Sequence, residues 1–209
     1  MGVCTILIGT RNRAKQRSIN NVIAELPIRI LLPDQIQGMP HNVEELESSH
    51  LGNARSKAIV WSRWFHGLTI ATDGGFLIPG LGCHWDSLNT KRFAGNMAGD
   101  PERIERLLGL LKKYSNLDRR AQLVEAVAIG YDGTLVDSWE AVSTMGWLNE
   151  CYGRDQPIDG FWISAMWSFP ALGKSYRDLS LEEKCLVADP WVILKPQIQN
   201  SIMSLINRS

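Results

Sequence analysis

Two hydrophobic patterns follow one another in the first part of the chain. Residues 6–8 form an apolar run that ends at Gly9 and Thr10 and passes into a polar segment, which predicts a strand, a tight turn and the start of a helix. The helix is predicted over residues 12–26, because its apolar positions follow the i, i+3, i+4, i+7 spacing of a half-buried helix. Residues 28–32 predict a short strand, and a proline ends each of these two elements.

A longer helix and a buried strand come next. Residues 51–65 predict the helix, with small and aromatic side chains on one face and Lys57 on its flank. Residues 68–71 predict a compact strand that runs into Thr72, Asp73 and two glycines. An acid at the end of a buried strand, next to glycines, is typical of a functional site in α/β folds.

The second half of the chain combines a helix with β-patterned runs. Residues 101–113 predict a helix with an apolar stripe and two lysines at its C-terminal end. Residues 121–131 and 134–145 predict a hairpin, because the Asp-Gly pair between them favours a type I′ turn. An aromatic-rich run covers residues 160–169.

The end of the chain is predicted to be helical. Trp162 and Trp167 of the aromatic run are either core side chains or an additional stacking surface for a ligand. Farther on, Ser180 and the glutamate three residues later predict a helix that starts with a capping box. A last helix closes the chain, and we expect it to be broken at Pro190 and again at Pro196.

Composition favours a single domain with two lobes over residues 1–209. The 22 basic residues balance the 22 acidic ones, which argues against a broad nucleic-acid-binding surface and favours a small ligand. The chain has no apolar stretch long enough to span a membrane and turns polar at Arg11, too early for a signal peptide, so we expect a cytoplasmic protein. The cysteines are far apart, which predicts reduced, partly buried thiols and, with equally scattered histidines, no zinc site.

The turn after the first strand is a candidate phosphate site. At the N-terminus of a helix, unpaired backbone N–H groups and the positive end of the helix dipole attract anions. Asn12 adds a hydrogen-bond donor and Lys15 a mobile cation. The alternative is that the turn binds nothing, because many α/β proteins begin with a strand, a glycine turn and a helix.

Short motifs follow one another over most of the chain in a specific order. They are Thr10-x-Asn12-x-x-Lys15, Glu44-Glu45, Asn53-Ala54-x-x-Lys57-Ala58, Asp73-Gly74-Gly75, Gly160-Phe161 and Leu179-Ser180-x-Glu182-Glu183-Lys184. Each motif alone is weakly specific, but their order and the eight-residue step from Glu45 to Asn53 make the combination specific. In these motifs the chain resembles the inosine/xanthosine triphosphate pyrophosphatase family.

The resemblance implies a fold and an activity. The implied fold is a two-lobed α/β structure with an elongated, twisted mixed β-sheet flanked by helices and an active-site cleft between the lobes. The implied activity is Mg²⁺-dependent hydrolysis of nucleoside triphosphates, with non-standard or modified bases, to the monophosphate and pyrophosphate. A homodimer is also implied, and we expect no nucleic-acid or membrane partner.

The resemblance also implies roles for individual residues. Glu45 and Asp73 would hold Mg²⁺, which suits hard carboxylate oxygens and usually needs few protein ligands. Asp73 would also be the general base for the attacking water, and Glu45 and Lys15 complete the expected catalytic set. The residues expected to bind the substrate are Thr10, Asn12, Lys15, Asn53, Lys57, Gly74, Phe161, Ser164, Lys184 and Asp189.

Several of these residues also allow a purely structural interpretation. Taken by themselves, Lys57 and Lys184 are better explained as solvated lysines on helix faces, and Glu44 and Glu45 as a surface acid pair, because Lys and Glu are commonly exposed. Asp73 is harder to explain in this way, since an acid next to an apolar strand is costly to bury without a partner.

The chain departs from the family pattern in two places. At the metal site, Thr72 replaces the first of two paired acids, and Gly52 replaces the glutamate that usually precedes the Asn-Ala pair. In the segments that read the base, residues 161–165 are altered, and Ala188-Asp189-Pro190 replaces a Ser-His-Arg sequence. Asp189 then either reads the base as a hydrogen-bond acceptor or is a solvated loop acid that the following proline directs out of the pocket.

Three functional hypotheses remain open. The first is an active nucleoside triphosphate pyrophosphatase with a rebuilt base pocket. The second is a nucleotide-binding protein with lost or weak catalysis, which the missing acids favour. The third is a related pyrophosphatase of the septum-inhibitor type that acts on modified pyrimidine nucleotides.

Overall fold

A computed structural model describes residues 4–39, 43–113, 118–153 and 160–207 of the chain. The α-helices in these ranges are α1 (Arg13–Ile23), α2 (His50–Phe65), α3 (Asp100–Lys113), α4 (Leu181–Leu186) and α5 (Pro190–Ile206). The strands are β1 (Cys4–Ile8), β2 (Ile28–Leu31), β3 (Leu68–Leu77), β4 (Arg120–Tyr131), β5 (Thr134–Val142), β6 (Gly146–Leu148), β7 (Trp167–Phe169) and β8 (Lys174–Ser175). None of the helices described here is long and apolar enough to cross a membrane.

The described strands form one mixed sheet of eight strands. Their order is β2-β1-β3-β4-β6-β7-β8, and β5 pairs with β4. Strand β1 is parallel to β2 and β3, whereas β6 is antiparallel to β4 and β7, and β7 is antiparallel to β8. Helices pack on this sheet through apolar faces. The predicted α/β class, with a mixed sheet flanked by helices, is confirmed.

The chain divides into two compact units, of which unit 1 comprises residues 1–74, 125–141 and 190–209. Its main core joins the apolar faces of α1 and α5 to strands β1, β3 and β4, through Ile6, Ile8, Ile19, Val22, Ile23, Leu68, Ile70, Val127, Ile129, Ala141, Leu194, Ile198 and Ile202.

Helix α2 lies unusually close to strand β4 in unit 1. The contact between α2 and the sheet is made of small residues, namely Ala54, Ala58, Ala71, Ala126 and Ala128. At Gly130 a Cβ atom would lie 2.5 Å from the carbonyl oxygen of Ala58, so only glycine allows this approach. The close contact holds polar side chains of α2 against the sheet.

Unit 2 comprises residues 75–124 and 142–189 and has an aromatic core. Helix α3 contributes the apolar stripe predicted from its spacing, Ile104, Leu107, Leu108 and Leu111. These side chains pack with Phe76, Trp162, Trp167, Phe169 and Tyr176. Trp162 and Trp167 are almost completely buried in this cluster, so of their two interpretations the core one is confirmed.

Locally encoded elements agree with the sequence. Asp132 and Gly133, between β4 and β5, both have positive φ angles, as a type I′ turn requires. Ser180 caps α4, and the reciprocal hydrogen bonds with Glu183 form the predicted capping box. Helix α1 ends at Ile23, three residues before the predicted end, and α2 starts one residue earlier than predicted.

Strand β3 is longer than predicted. We expected an apolar strand over residues 68–71 with Asp73 at its end, but the strand continues to Leu77 and Asp73 lies in its middle. Strand β3 lies between β1 and β4 in the sheet, so its backbone groups keep partners beyond the apolar run. Gly74 and Gly75 remain in the extended strand and do not end it.

Two further expectations are wrong. Helix α5 begins at Pro190 and continues through Pro196 without ending there. Its apolar side is buried in the core of unit 1, and this burial offsets the hydrogen bond that Pro196 cannot donate.

The cysteines are free thiols, but Cys83, Cys151 and Cys185 are exposed, not partly buried as predicted.

Candidate active site

The turn between β1 and α1 is held by its own side chains. Asn12 is the N-cap of α1, and its Oδ1 accepts from the backbone N–H groups of Ala14 at 2.9 Å and Lys15 at 3.3 Å. Thr10 Oγ1 accepts from the N–H of Asn12 at 3.2 Å. The expectation of unpaired N–H groups is therefore wrong for these residues, because side chains of the same turn already satisfy them. If the turn binds an anion, the Lys15 ammonium is the group that would provide the attraction.

Helix α2 places Lys57 between two carboxylates. Lys57 Nζ lies 2.5 Å from Glu45 Oε1 and 2.6 Å from Asp73 Oδ1. The Lys57 side chain is largely buried. The interpretations of Lys57 as a solvated lysine and of Glu45 as a surface acid are therefore wrong, although the adjacent Glu44 is exposed.

The second oxygen of Asp73 contacts a histidine. His50 Nδ1 lies 2.7 Å from Asp73 Oδ2, and both side chains are buried. Burial alone would raise the pKa of Asp73, but the hydrogen bond from His50 and the positive charges of Lys15 and Lys57 outweigh it and hold the pKa well below its ordinary value. Asp73 is therefore ionised at neutral pH.

A second buried acid lies on β4. Glu125 Oε2 accepts a hydrogen bond from Thr72 Oγ1 at 3.0 Å and lies 3.9 Å from Lys15 Nζ. Burial raises the pKa of Glu125, and the Lys15 charge and the Thr72 hydrogen bond oppose this rise. Sequence reasoning missed Glu125, although a single acid within the apolar run 123–129 is a signal that could have indicated it.

The segment before α2 is organised by Asn53. Its Oδ1 accepts from the backbone N–H of Glu47 at 3.1 Å, and the Asn53 side chain is buried. A Cβ atom at Gly52 would lie 2.8 Å from Glu47 Cβ, so the Glu47 side chain occupies the space that a longer residue at position 52 would need. Asn53 therefore shapes the segment that carries Glu45. Gly74 follows Asp73 in β3 and is partly exposed.

The predicted residues of unit 2 surround a tyrosine that sequence reasoning missed. Phe161 packs edge-on against Tyr176 with ring centroids 5.4 Å apart. Lys184 Nζ lies 5.1 Å from the centre of the same ring, a cation–π distance, so Lys184 is not a freely solvated lysine. Asp189 Oδ2 accepts from Tyr176 Oη at 2.6 Å. No sequence pattern around Tyr176 indicated that it would be the centre of this group.

Asp189 and Ser164 are both buried in unit 2. The interpretation of Asp189 as a solvated loop acid is wrong, because only 1% of the residue is exposed and it precedes the first residue of α5. Ser164 Oγ donates to the carbonyl oxygen of Phe161 at 2.6 Å and thereby holds the short 3₁₀ turn that carries Phe161.

The structure thus places the predicted residues in two groups. Unit 1 holds Thr10, Asn12, Lys15, Glu45, Asn53, Lys57, Asp73 and Gly74, to which it adds His50 and Glu125. Unit 2 holds Phe161, Ser164, Lys184 and Asp189, to which it adds Tyr176. The first group has the charges that phosphate and metal binding need, and the second has aromatic and hydrogen-bonding groups.

The carboxylates of unit 1 fit a magnesium ion that keeps most of its water. Among the described residues, no three His, Cys, Asp or Glu side chains cluster closely enough to enclose a metal. Glu45 and Asp73 nevertheless both contact Lys57 Nζ, so their oxygens are close to each other and already share one cation. Mg²⁺ is commonly held by one or two carboxylates and by substrate phosphates, and this donor set meets that requirement.

Comparison with known proteins shows the family to which the chain belongs. The sequence profile of the Ham1 family matches residues 6–147, more than half of the chain. The chain belongs to the Ham1 family. Its membership confirms the family resemblance inferred from the motifs.

Relatives with curated names match this Ham1-family chain over most of its length. The dITP/XTP pyrophosphatase of Parasynechococcus marenigrum (strain WH8102) is 28% identical over 200 residues, covering 94% of this chain and 95% of that protein. The dITP/XTP pyrophosphatase of Yersinia pseudotuberculosis serotype I is 27% identical over 190 residues, covering 91% of this chain and 94% of that protein. The chain is thus homologous to hydrolases, at modest identity.

Solved structures share the fold. A HAM1 protein from Coxiella burnetii superimposes with a TM-score of 0.77 at 19% identity, covering 97% of this chain and all of that one. The nucleoside-triphosphatase / dITP/XTP pyrophosphatase from Mycobacterium abscessus has a TM-score of 0.65 at 19% identity, covering 96% of this chain and 98% of that one. The fold of this chain is therefore that of the Ham1 proteins.

Proposed function

We propose that this Ham1-family chain hydrolyses nucleoside triphosphates with non-standard or modified bases to the monophosphate and pyrophosphate, with Mg²⁺ as its metal. The observation that carries the proposal is the buried contact of Glu45 and Asp73 with Lys57. It combines two anions that can hold a metal with a cation that can bind phosphate, and both are needed to cleave a polyphosphate. The curated names of the relatives support the same reaction class.

Two lysines would bind the phosphates. Lys15 and Lys57 would bind phosphate oxygens, since an ammonium is a mobile point charge on a flexible stem. Lys57 would turn from its carboxylates toward the triphosphate, and Glu45 and Asp73 would then hold Mg²⁺. Bound there, the ion would neutralise phosphate charge and lower the pKa of a coordinated water.

Asp73 would also take the proton of the attacking water. The oxygen that contacts Lys57, Oδ1, becomes available when that lysine moves to phosphate. His50 would keep the carboxylate oriented through Oδ2, because the hydrogen bond between them is short and buried. This arrangement needs no covalent intermediate.

The base would be bound by the group around Tyr176. Phe161 offers an aromatic ring for stacking, and Asp189 offers acceptor oxygens to a base that carries donors. Lys184 would add a cation. A homodimer and a cytoplasmic location remain predictions.

A second candidate function is nucleotide binding with weak or lost catalysis. The observation that favours it is that both oxygens of Asp73 already have donors, Lys57 on Oδ1 and His50 on Oδ2. A carboxylate stabilised in this way is a weak base, and turnover would be slow if Lys57 stayed in place.

One assay tests both candidates. Pyrophosphate release would be measured with Mg²⁺, and with EDTA in its place, over a panel of triphosphates of standard, deaminated and modified purines and of modified pyrimidines. We expect Mg²⁺-dependent release from at least one non-standard triphosphate. Tight binding without release would support the second candidate, a preference for modified pyrimidines would support the septum-inhibitor type of enzyme, and neither binding nor release would refute the proposal.

A further inference from the structure

Glu125 is a buried acid that neither the motifs nor the mechanism above uses. It lies on β4 among residues that are almost fully buried, namely Leu123, Val124, Ala126 and Val127, and it is 6% exposed itself. An ionised carboxylate is costly in such surroundings unless polar groups compensate it. The buried position of Glu125 therefore suggests that its carboxylate has a function.

The hydrogen-bond partner of Glu125 indicates the reason. Thr72 donates to Glu125 Oε2 at 3.0 Å, and Thr72 directly precedes Asp73 in β3. Position 72 is where the sequence lacks the first acid of the pair that the family pattern leads one to expect. Because β4 is the neighbour of β3 in the sheet, a side chain on β4 can reach the same place from the next strand.

We propose that Glu125 takes the place of the acid missing at position 72 and acts toward the divalent cation as a further carboxylate, beside Glu45 and Asp73. The inference rests on the proposed function. Glu125 and Asp73 lie within electrostatic range of each other, because the Asp73 charge contributes to the raised pKa of Glu125 and the Lys15 charge acts on both carboxylates. Since Mg²⁺ retains several waters in proteins, a carboxylate in this position can act by accepting hydrogen bonds from those waters. The supporting carboxylate would thus come from β4, the strand next to β3, and not from position 72.

A role for Glu125 only as the counter-ion of Lys15 explains less. The Lys15 Nζ to Glu125 Oε2 distance of 3.9 Å is too long for a hydrogen bond and lies at the outer limit of an ion pair. The direct bond goes to Thr72, which is uncharged and needs no counter-ion. The geometry therefore directs the carboxylate toward position 72.

Metal affinity tests the proposal without relying on turnover. Mn²⁺ would be titrated into the full chain and free Mn²⁺ followed by electron paramagnetic resonance. We expect Glu125→Gln to weaken Mn²⁺ binding about 10- to 100-fold, the usual effect of losing a group that supports metal ligands. Glu140→Gln is the matched control, because it makes the same change at an exposed position on β5, and it should leave the affinity unchanged.

A pair of double variants tests whether an acid at position 72 can substitute for Glu125. Thr72→Asp combined with Glu125→Gln returns the acid to position 72 and should restore Mn²⁺ affinity to within a few-fold of the original. Thr72→Asn combined with Glu125→Gln has nearly the same shape without the acid and should not. Both double variants contain Glu125→Gln and differ only at position 72, so their comparison isolates the acid at that position, and thermal unfolding of each variant monitors folding.

The proposal is overturned if folded Glu125→Gln binds Mn²⁺ as the original chain does, or if the two double variants bind it equally. A loss of triphosphate affinity without loss of Mn²⁺ affinity would show a counter-ion of Lys15 instead, and would also overturn it. These results do not depend on hydrolysis. Absence of pyrophosphate release with a Glu125-dependent Mn²⁺ affinity would refute the proposed function and leave this inference standing.

Discussion

His50 Nδ1 lies 2.7 Å from Asp73 Oδ2, and both side chains are buried in unit 1. Asp73 is ionised, because its pKa is held well below the ordinary value, and it can only accept in this bond. The Nδ1 atom of His50 therefore carries the proton. With Lys57 on the other oxygen, Asp73 is oriented from both sides before any substrate binds.

Asp73→Asn should abolish turnover and leave nucleotide binding measurable. The amide keeps the shape of the side chain but can neither take a proton nor offer an anion to Mg²⁺, and we expect a loss of at least about 100-fold in the rate of pyrophosphate release. Asp132→Asn is the control, because it makes the same change at an exposed turn residue. Unchanged pyrophosphate release by Asp73→Asn would remove Asp73 from the catalytic site.

Lys15→Ala should weaken triphosphate binding far more than nucleoside binding. Its ammonium would contact phosphate and not the base, and hydrogen bonds to charged groups contribute about 1.5 to 3 kcal/mol, or roughly 10- to 150-fold in affinity. Calorimetry with both ligands measures the difference, and Lys112→Ala, at an exposed position of α3, is the control. Equal losses for the two ligands would show that the turn before α1 does not bind phosphate.

Asp189→Asn should change the ranking of bases in the triphosphate panel. A carboxylate favours a base that presents donors and disfavours a carbonyl oxygen, so inosine triphosphate should not be the best substrate of the original chain. Loss of a matched hydrogen bond costs about 1 to 3 kcal/mol, or roughly 5- to 150-fold in specificity.

A companion variant separates base reading from packing. Tyr176→Phe removes the 2.6 Å hydrogen bond to Asp189 and leaves the carboxylate in place. If Asp189→Asn and Tyr176→Phe reduce stability equally and neither alters the base ranking, Asp189 has a structural role only.

Glu125→Gln should change how stability depends on pH. Because burial raises the pKa of Glu125 in the folded chain, the folded state binds more protons than the unfolded state between the two pKa values. The stability of the original chain therefore falls as pH rises from the unfolded pKa of about 4.3 to the higher folded value. Glutamine removes this contribution. The free energy of unfolding of the variant, minus that of the original chain, should therefore increase as the pH rises through that window.

Urea unfolding at a series of pH values, with EDTA present, measures this difference. Groups that do not interact with Glu125 titrate equally in both chains and cancel when the two are compared. A constant difference between pH 4 and pH 8, within error, would contradict a raised pKa for Glu125. Glu140→Gln should show no such trend, since its side chain is exposed.

Much of the local structure was determined by the sequence itself. The spacing of apolar residues predicted α1, α2 and α3, the Asp132-Gly133 pair predicted the turn between β4 and β5, and Ser180 with Glu183 predicted the cap of α4. Each of these features depends on residues within a few positions of one another, so local propensity decides it. The order of the motifs likewise sufficed to indicate the family.

Only the tertiary structure decided the remaining features. Strand β3 passes through Asp73 because neighbouring strands satisfy its backbone, and α5 passes through Pro196 because core burial outweighs a missing hydrogen bond. The contact between Thr72 and Glu125 joins residues on adjacent strands, 53 positions apart. Contacts between residues so far apart depend on how strands and helices pack, and no local pattern along one chain encodes that packing.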